Sequence, residues 1–481
     1  MLYPDDQMNQ PVRLFSIFAC RPRHSIVCMK YIAFLSLLLV WARPAAAQKD
    51  RWTPLFTGKN LVGWTQKGGQ ARYTVSKGVI TGSSVLNTPN SFLCTERQYD
   101  DFILELDLSV DDGLNSGIQI RSQLRPEQNE GRVFGWQVEV DPSPRAWSGG
   151  IYDEGRRQWL YIPNINPEGK KAFRSGGRWN HYRIEAIGNT IRTWVNEVPV
   201  AFLVDTLVEK GFIALQVHAV GKPEEAGKQV RWRNIRIQTG RDMRPRPWDQ
   251  CPVLNFSPNQ LHEQEQAQGW RLLFNGKNLE GWRSAFRVSA PSAGWTVHDG
   301  ALHIQGSDGS EARSFGDLVS TDTFSTFEFC FDFKLSEGAN SGVKYFVDEN
   351  FDTKGGSAIG LEYQLLDDER HPDAKLGAAG NRTLASLYDL IPSYKLEKRF
   401  QQAIGQWNSG RIVVRPDRMV QHWLNGFKVL EYERGGNIFA ALVARSKYVV
   451  WEGFGLASAG PVLLQDHGNS VWFRNLKIRK L

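Results

Sequence analysis

Pairs of polar side chains two residues apart recur at matched places in this sequence. Gln137 and Glu139 form one pair; Glu362 and Gln364 form the other, in reversed order. In an extended strand such residues share a face about 7 Å apart, so each pair sets a carboxylate beside a carboxamide. A retaining glycosidase would want two or three carboxylates there, to serve as nucleophile and acid. Glu139 with Asp141 nearly supplies them, but Leu366 stands where Asp141 would align, which weakens that chemistry. Asp367, Asp368, His371 and Asp373 follow the second pair at once, then Arg382, Tyr388 and Asp389. Lys344 projects on the polar side of the strand after Asn340-Ser341-Gly342. His467 and His218 close equivalent strands, where an imidazole suits acid–base work. The duller explanations are a solvated sheet face, turn-capping histidines and a loop of turn-forming Asp and Pro. Asp367 and His371 have the Asp-x-x-x-His spacing of a weak divalent-cation signal, and no cofactor is firmly indicated.

What must position these residues is a unit written twice. LFTGKNLVGW at 55–64 returns as LFNGKNLEGW at 273–282, identical at 8 of 10 places. A shift of 225 aligns Asn115-Ser116-Gly117 with Asn340-Ser341-Gly342 and Gly135 with Gly360. Tyr152-Asp153 matches Tyr388-Asp389, GFIALQVH at 211–218 matches GPVLLQDH at 460–467, and RNIRI at 233–237 matches RNLKI at 474–478. The expected organisation is an extension with a signal peptide over 1–47, a first domain over 48–240, a linker over 241–269 and a second domain over 270–481. Ser257-Pro258 in the linker reads as a helix cap with Pro at the first helical position, so a short helix is expected from Pro258 to Gln268.

Within each unit the period is two. Phe102, Leu104, Leu106 and Leu108 alternate with Ile103, Glu105, Asp107 and Ser109, and Phe327, Phe329, Phe331 and Phe333 with Glu328, Cys330, Asp332 and Lys334. By the same logic Ile118, Ile120, Trp136, Val138 and Val140 face a core, and Gln119, Arg121, Gln137, Glu139 and Asp141 face away from it. Many short alternating strands predict an all-β fold of two tandem sandwiches, each a jelly roll. The chain of 481 residues has 41% hydrophobic and 23% charged residues, which excludes wholesale disorder. Its net charge of +7 includes five basic and two acidic residues in the first 47 and forms no basic run, so nucleic-acid binding is not indicated.

Met29-Lys30, the 12 apolar residues Tyr31–Ala42 and Ala45-Ala46-Ala47 have the layout of a cleaved secretory signal. Twelve apolar residues fall short of the about 20 that cross a bilayer, so no membrane span is expected after cleavage, and the protein is expected to be exported, to a periplasm or the medium. Cys94, Cys251 and Cys330 would remain, an odd number without paired spacing and so neither a disulfide framework nor a zinc site; Cys94 and Cys330, in strand-like runs, are expected to be plain buried thiols.

The LF-x-GK-x-L-x-GW start, the NSG strand, the Gln/Glu pairs, the W-N dipeptides and the closing RNI-type strand resemble the 3-keto-glycoside hydrolases, described as 3-keto-glucoside 1,2-lyases and 3-keto-2-hydroxy-glucal hydratases. The resemblance covers both units. It implies a concanavalin A-like jelly roll with a polar concave face, export, and action on sugars oxidised at carbon 3, with an oxidoreductase partner making that ketone. The ketone acidifies the proton on carbon 2; a base removes it, the glycosidic oxygen leaves carbon 1, and water adds back. Such a route needs a base, a group for the enolate oxygen and an acid. Under the resemblance Glu362 or His467 suits the base, Lys344 or Arg382 the enolate, and Asp367, Tyr388 or Asp389 the acid. Gln364, Asn340 and His371 would bind substrate. In the first unit Arg121, Gln137, Glu139, Asp141, Tyr152, Asp153 and His218 would form a second site or hold glycan, with Trp147 and Trp159 stacking on sugar. A non-catalytic carbohydrate-binding protein and a conventional jelly-roll glycosidase are the competing readings.

Overall fold

Phe327, Phe329, Phe331 and Phe333 all point into one core, none more than 1% exposed. Each such side chain contributes about 1.5–3 kcal/mol by leaving water. Their strand, Phe327–Leu335, lies between Asn408–Val414 and Val471–Lys480, antiparallel to both. Phe102, Leu104, Leu106 and Leu108 do the same in the first unit, between Asn180–Ile187 and Gln229–Thr239. The alternation in the sequence is thus the alternation of a sheet with one face in a core.

The computed structural model describes residues 51–481 apart from 126, 128–130, 208–209, 308–314, 352, 355 and 395–400. The signal-like segment lies outside the described residues. The fold is all-β, two tandem jelly-roll sandwiches of the concanavalin A type. The first has a nine-stranded and a seven-stranded sheet, the second an eight-stranded and a five-stranded one. In the five-stranded sheet the order runs Trp282–Ser284, Leu318–Ser320, Leu463–Leu464, Asn340–Asp348, Ile359–Leu366. The first unit repeats this order with Trp64–Gly68, Ser91–Tyr99, Gly211–Val217, Ser116–Arg125 and Arg132–Val140, then adds Ile151–Glu154 and Gln158–Tyr161.

The linker departs from expectation. Its helix covers only Glu263–Ala267 and is capped by His262, whose Nδ1 accepts from the Gln264 N–H while Glu265 accepts from the His262 N–H. Ser257 instead donates its own N–H to Asn255, one turn too early to start a helix. Just upstream, Val253–Asn255 adds a parallel strand to the edge of the first unit's larger sheet. Cys94 and Cys251 are buried, all three cysteines are free thiols, and burial pushes each up to about 12.

Candidate functional site

The NSG strand and its partner build the floor of a cavity in the second unit. Lys344 lies directly across from Glu362, and Gly342 across from Gln364. Cross-strand neighbours share a face, so Asn340, Lys344, Glu362 and Gln364 all project to one side. Gly342 leaves the room that Glu362 occupies: a Cβ there would fall 2.2 Å from Glu362 Oε1. Ser341, on the opposite face, donates to the Gln465 carbonyl at 2.8 Å and so fixes the strand end that carries His467. Asn340 reaches His467 Nε2 at 3.4 Å and Gln364 at 3.2 Å. Each letter of the motif therefore has its own physical task. The first unit repeats two of them: Ser116 donates to the Gln216 carbonyl at 2.7 Å, and a Cβ on Gly117 would lie 2.3 Å from Gln137 Cδ.

The cavity has a volume of about 150 Å³ and is walled by Glu362, Gln364, Lys344, Asn340, Gln465 and His467, with Tyr388, Tyr448 and Trp451. Lys344 is buried, its Nζ 4.0 Å from Glu362 Oε2. The same ammonium donates to Ser357 and to the Ala358 carbonyl (3.1 Å), and Ser357 in turn donates to the buried carboxylate of Asp317. A buried ion pair is weak evidence for stability, since desolvation offsets the attraction; here it gives Glu362 a fixed counter-charge at the cavity wall. With its NH2 turned towards Glu362, Gln364 donates to Oε1 at 3.1 Å and to the Ser341 carbonyl at 2.9 Å. His467 is half-buried, and its ring stands edge-on to that of His371 at 6.1 Å. Burial and the neighbouring His467 hold His371 below the usual histidine range.

The remaining residues singled out from the sequence stand beside the cavity rather than on its wall. Asp367 is buried and accepts from the N–H groups of Gly338, Glu369 and Arg370, which makes it a turn-builder. Arg382 pairs with Asp373 at 3.0 Å and Asp389 at 2.7 Å. His371 caps the short turn Pro372–Lys375 by accepting from the Asp373 N–H. The Asp/His run is thereby committed to turns and to the guanidiniums of Arg370 and Arg382, and among the described residues no three acidic, His or Cys side chains converge as a cation would need. Tyr388 does line the cavity. Burial, the charge of Glu362 and its hydrogen bond to Asp373 raise its phenol well above the usual tyrosine value, so it keeps its proton.

In the first unit the matching face is filled by its own side chains. Gln119, Gln137, Glu139 and Asp141 point away from the core as expected, yet all are buried. Glu139 accepts from Asn115 at 2.5 Å and Gln137 at 3.0 Å, and Gln119 donates to Gln137 at 2.7 Å. Arg145 then closes over both acids, 2.7 Å from Asp141 and 3.5 Å from Glu139. Burial pushes the Glu139 carboxyl up to about 7 in spite of those partners. Arg121 is placed elsewhere: a bulge gives it φ 45°, and its guanidinium binds Asp101 and the carbonyls of Asp100 and Gly188. Phe346, its counterpart, bulges with φ 51°. Asp153 is held by Arg156 and Arg157, and His218 is exposed with Nδ1 2.7 Å from the Ala219 carbonyl. Tyr152 packs on Trp159, with ring centroids 5.1 Å apart. Trp147 is not a surface platform for sugar: it is 4% exposed and packs on Phe427 of the second unit.

Reading the sequence passed over Lys447, Tyr448, Trp451, Ser357, Asp317 and Gln465. Only Gln465 carried a signal, because the matched strand ends Gln-x-His in both copies; Lys447, Tyr448 and Trp451 lie in a connection that is longer in the second unit, and Ser357, aligned with Arg132, differs in type between the copies.

A jelly-roll sheet bearing a small polar cavity, with a carboxylate, three carboxamides, two ammoniums and an imidazole on its wall, has the make-up of a carbohydrate-active hydrolase. The chain belongs to the family described as 3-keto-alpha-glucoside-1,2-lyase-like domains, whose model matches residues 51–238 and again 269–479. It is 36% identical over 235 residues to the 3-keto-disaccharide hydrolase of Bacteroides thetaiotaomicron, an alignment covering 45% of this chain and 79% of that protein. Two solved chains from Parabacteroides distasonis, each described as a candidate glycosyl hydrolase, are also similar. One is 30% identical with TM-score 0.41, covering 47% of this chain and 100% of the other. The second is 27% identical with TM-score 0.32, covering 44% and 99%. Among the described residues no helix is long and apolar enough to cross a membrane.

Proposed function

We propose that this chain is an exported 3-keto-glycoside hydrolase whose second unit breaks the glycosidic bond by elimination across carbons 1 and 2 and then adds water. The observation that carries the reading is Glu362: among the described residues it is the one carboxylate on the cavity wall, set between the Lys344 ammonium and the Gln364 amide. Double displacement needs a second carboxyl about 5–5.5 Å away. Elimination from a 3-ketone needs one base. Glu362 takes the proton from carbon 2, the electron pair becomes the carbon 1–carbon 2 double bond, and the bond from carbon 1 to the leaving oxygen breaks. Lys344 and Asn340 supply donors for the enolate oxygen, a stabilisation that is strongest in a site closed to water. His467 gives the proton to the leaving oxygen. Water then adds to carbon 1 and a proton returns to carbon 2. Tyr388, holding its proton firmly, acts as a hydrogen-bond donor, while Arg382, Asp367 and Asp389 support the surrounding loops.

The name of the Bacteroides relative and the family match support the substrate class, and the signal-like segment from Met29 to Ala47 supports export. An oxidoreductase that makes the ketone at carbon 3 would act first. The test is to supply purified protein with a 3-keto-disaccharide and with its unoxidised parent, in heavy water. Loss of the keto sugar alone, with deuterium arriving at carbon 2, is expected. Cleavage of the parent would make it a conventional glycosidase, and binding without product would make it a carbohydrate-binding protein. Glu362→Gln should lower turnover by on the order of a hundredfold or more, the usual contribution of a positioned base.

A further inference from the structure

The Lys344 ammonium has three N–H bonds to donate, and two are already committed. One goes to the Ser357 hydroxyl and one to the Ala358 carbonyl at 3.1 Å. Neither goes to Glu362, whose Oε2 stands 4.0 Å away. With two directions of a tetrahedral group taken, the direction of the third N–H is set as well, on the wall of the cavity that Lys344 lines. Ser357 accepts from Lys344 in a fixed geometry only while its own proton is held elsewhere. The carboxylate of Asp317 holds it, and the same oxygen accepts from the Ala358 N–H at 3.2 Å.

Asp317 has a second task. It stands immediately before the strand Leu318–Ser320, and its Oδ1 accepts from the N–H of Asp466, the residue before His467, at 3.0 Å. Asp466 in turn accepts from the N–H groups of Phe315 at 3.1 Å and Gly316 at 3.0 Å, and from that of Gly468, on the far side of His467, at 3.0 Å. The two segments thus clasp each other through a pair of buried carboxylates, neither of which lines the cavity. Burying a carboxylate is costly unless it is well hydrogen-bonded, and the other unit shows that this sheet has an apolar alternative.

Strand pairing in the first unit puts Phe92 where the second has Asp317, Val217 where it has Asp466, Arg132 for Ser357 and Gln119 for Lys344. Phe92 and Val217 are buried in apolar clusters. The sheet therefore forms without the carboxylates. Lysine, serine and both aspartates are present together where the polar face opens on a cavity, and all four are replaced where that face is sealed. Resting on the elimination reading, we infer that Asp317 and Ser357 are positioning residues for the reaction. They aim the Lys344 ammonium at the enolate oxygen and, through the Asp466 N–H, keep the strand end that carries His467 in register with it.

The test measures kcat and KM on a 3-keto-disaccharide with the full chain, for Ser357→Ala, Asp317→Asn and Lys344→Met, and for each of the first two combined with the third. Asparagine keeps an oxygen for the Asp466 N–H but can present its NH2 to Ser357. Removal of a preorganised donor costs about a hundredfold or more in kcat, the loss expected of Lys344→Met. Ser357→Ala and Asp317→Asn should each lower kcat by on the order of tenfold with KM within about twofold, since they misplace a group that acts in the transition state. On the Lys344→Met background each should cost less than about twofold, because it acts through a residue already removed. Losses that multiply on that background, or a Ser357→Ala variant with full kcat, overturn the inference and leave the elimination reading intact. Should Asp317→Asn fail to fold, Ser357→Ala, which removes only the hydroxyl between Lys344 and Asp317, decides by the same two outcomes. Full turnover by Lys344→Met takes the lysine out of the reaction and overturns the inference with it. A parent protein that turns over no keto sugar overturns the elimination reading itself.

Discussion

Glu139 and Glu362 sit on equivalent strands but meet different surroundings. Glu362 faces a cavity with an ammonium 4.0 Å away; Glu139 is sealed beneath Asn115, Gln137 and Arg145. The sealed carboxyl keeps its proton up to about pH 7, whereas an unfolded chain releases it near about pH 4.3. The native state thus holds a proton that the unfolded state has lost, and stability declines as pH rises from about 4.5 to 7, levelling off above. At 1.36 kcal/mol per unit the loss is at most about 4 kcal/mol. Glu139→Gln removes it: the variant's melting temperature should vary less than the parent's across that window and lie higher at pH 7.5. Scanning calorimetry at pH 5 and 7.5 decides the matter, and an unchanged pH slope would count against the buried-carboxyl account.

At the level of the strand, two glycines allow a sharper comparison. A Cβ on Gly342 would lie 2.2 Å from Glu362 Oε1, and one on Gly410 would lie 2.3 Å from the Phe331 ring. The overlaps are alike in size, but one neighbour is a carboxylate at the end of a flexible stem and the other a ring locked in a core. Gly342→Ala should therefore displace Glu362 and cut turnover at least tenfold with little change in melting temperature. Gly410→Ala should destabilise by about 1–3 kcal/mol, the usual cost of overpacking. The NSG motif and the period-two strands were plain in the sequence because both follow from the pleat. The linker helix was misplaced because Ser257-Pro258 has the composition of a cap, while the actual start at His262 is fixed by the capping box with Glu265.

Across the whole molecule the two units are joined by more than the linker. Trp147 and Ile162 of the first unit pack into the core of the second, and Trp423 of the second packs against the core of the first. Lys477 of the last strand also pairs with Glu265 of the linker helix. If the first unit, its polar face occupied by Arg145, serves only to support the second, its cross-packing residues should affect stability and not turnover. Trp147→Ala should cost about 3 kcal/mol, as deletion of a buried aromatic does. Well below the melting transition the variant's turnover of a keto-glycoside should stay within twofold of the parent's. A large loss of turnover at that temperature would instead assign the first unit a part in catalysis.

The sequence by itself determined the duplication, the sandwich of alternating strands and the shared face of Asn340, Lys344, Glu362 and Gln364, because pleat and repeat are local and periodic. It also singled out His467. Only the tertiary structure decided which polar residues meet a cavity. The Asp367–Asp373 run closes its own turns, Arg121 is turned aside by a bulge, and Arg145 closes the first unit's face. Lys447 and Trp451 come from a connection without a counterpart in the other repeat, so no pattern in the chain marked them. Periodicity fixes which way a side chain points; what covers it depends on loops distant in sequence, whose approach leaves no local trace.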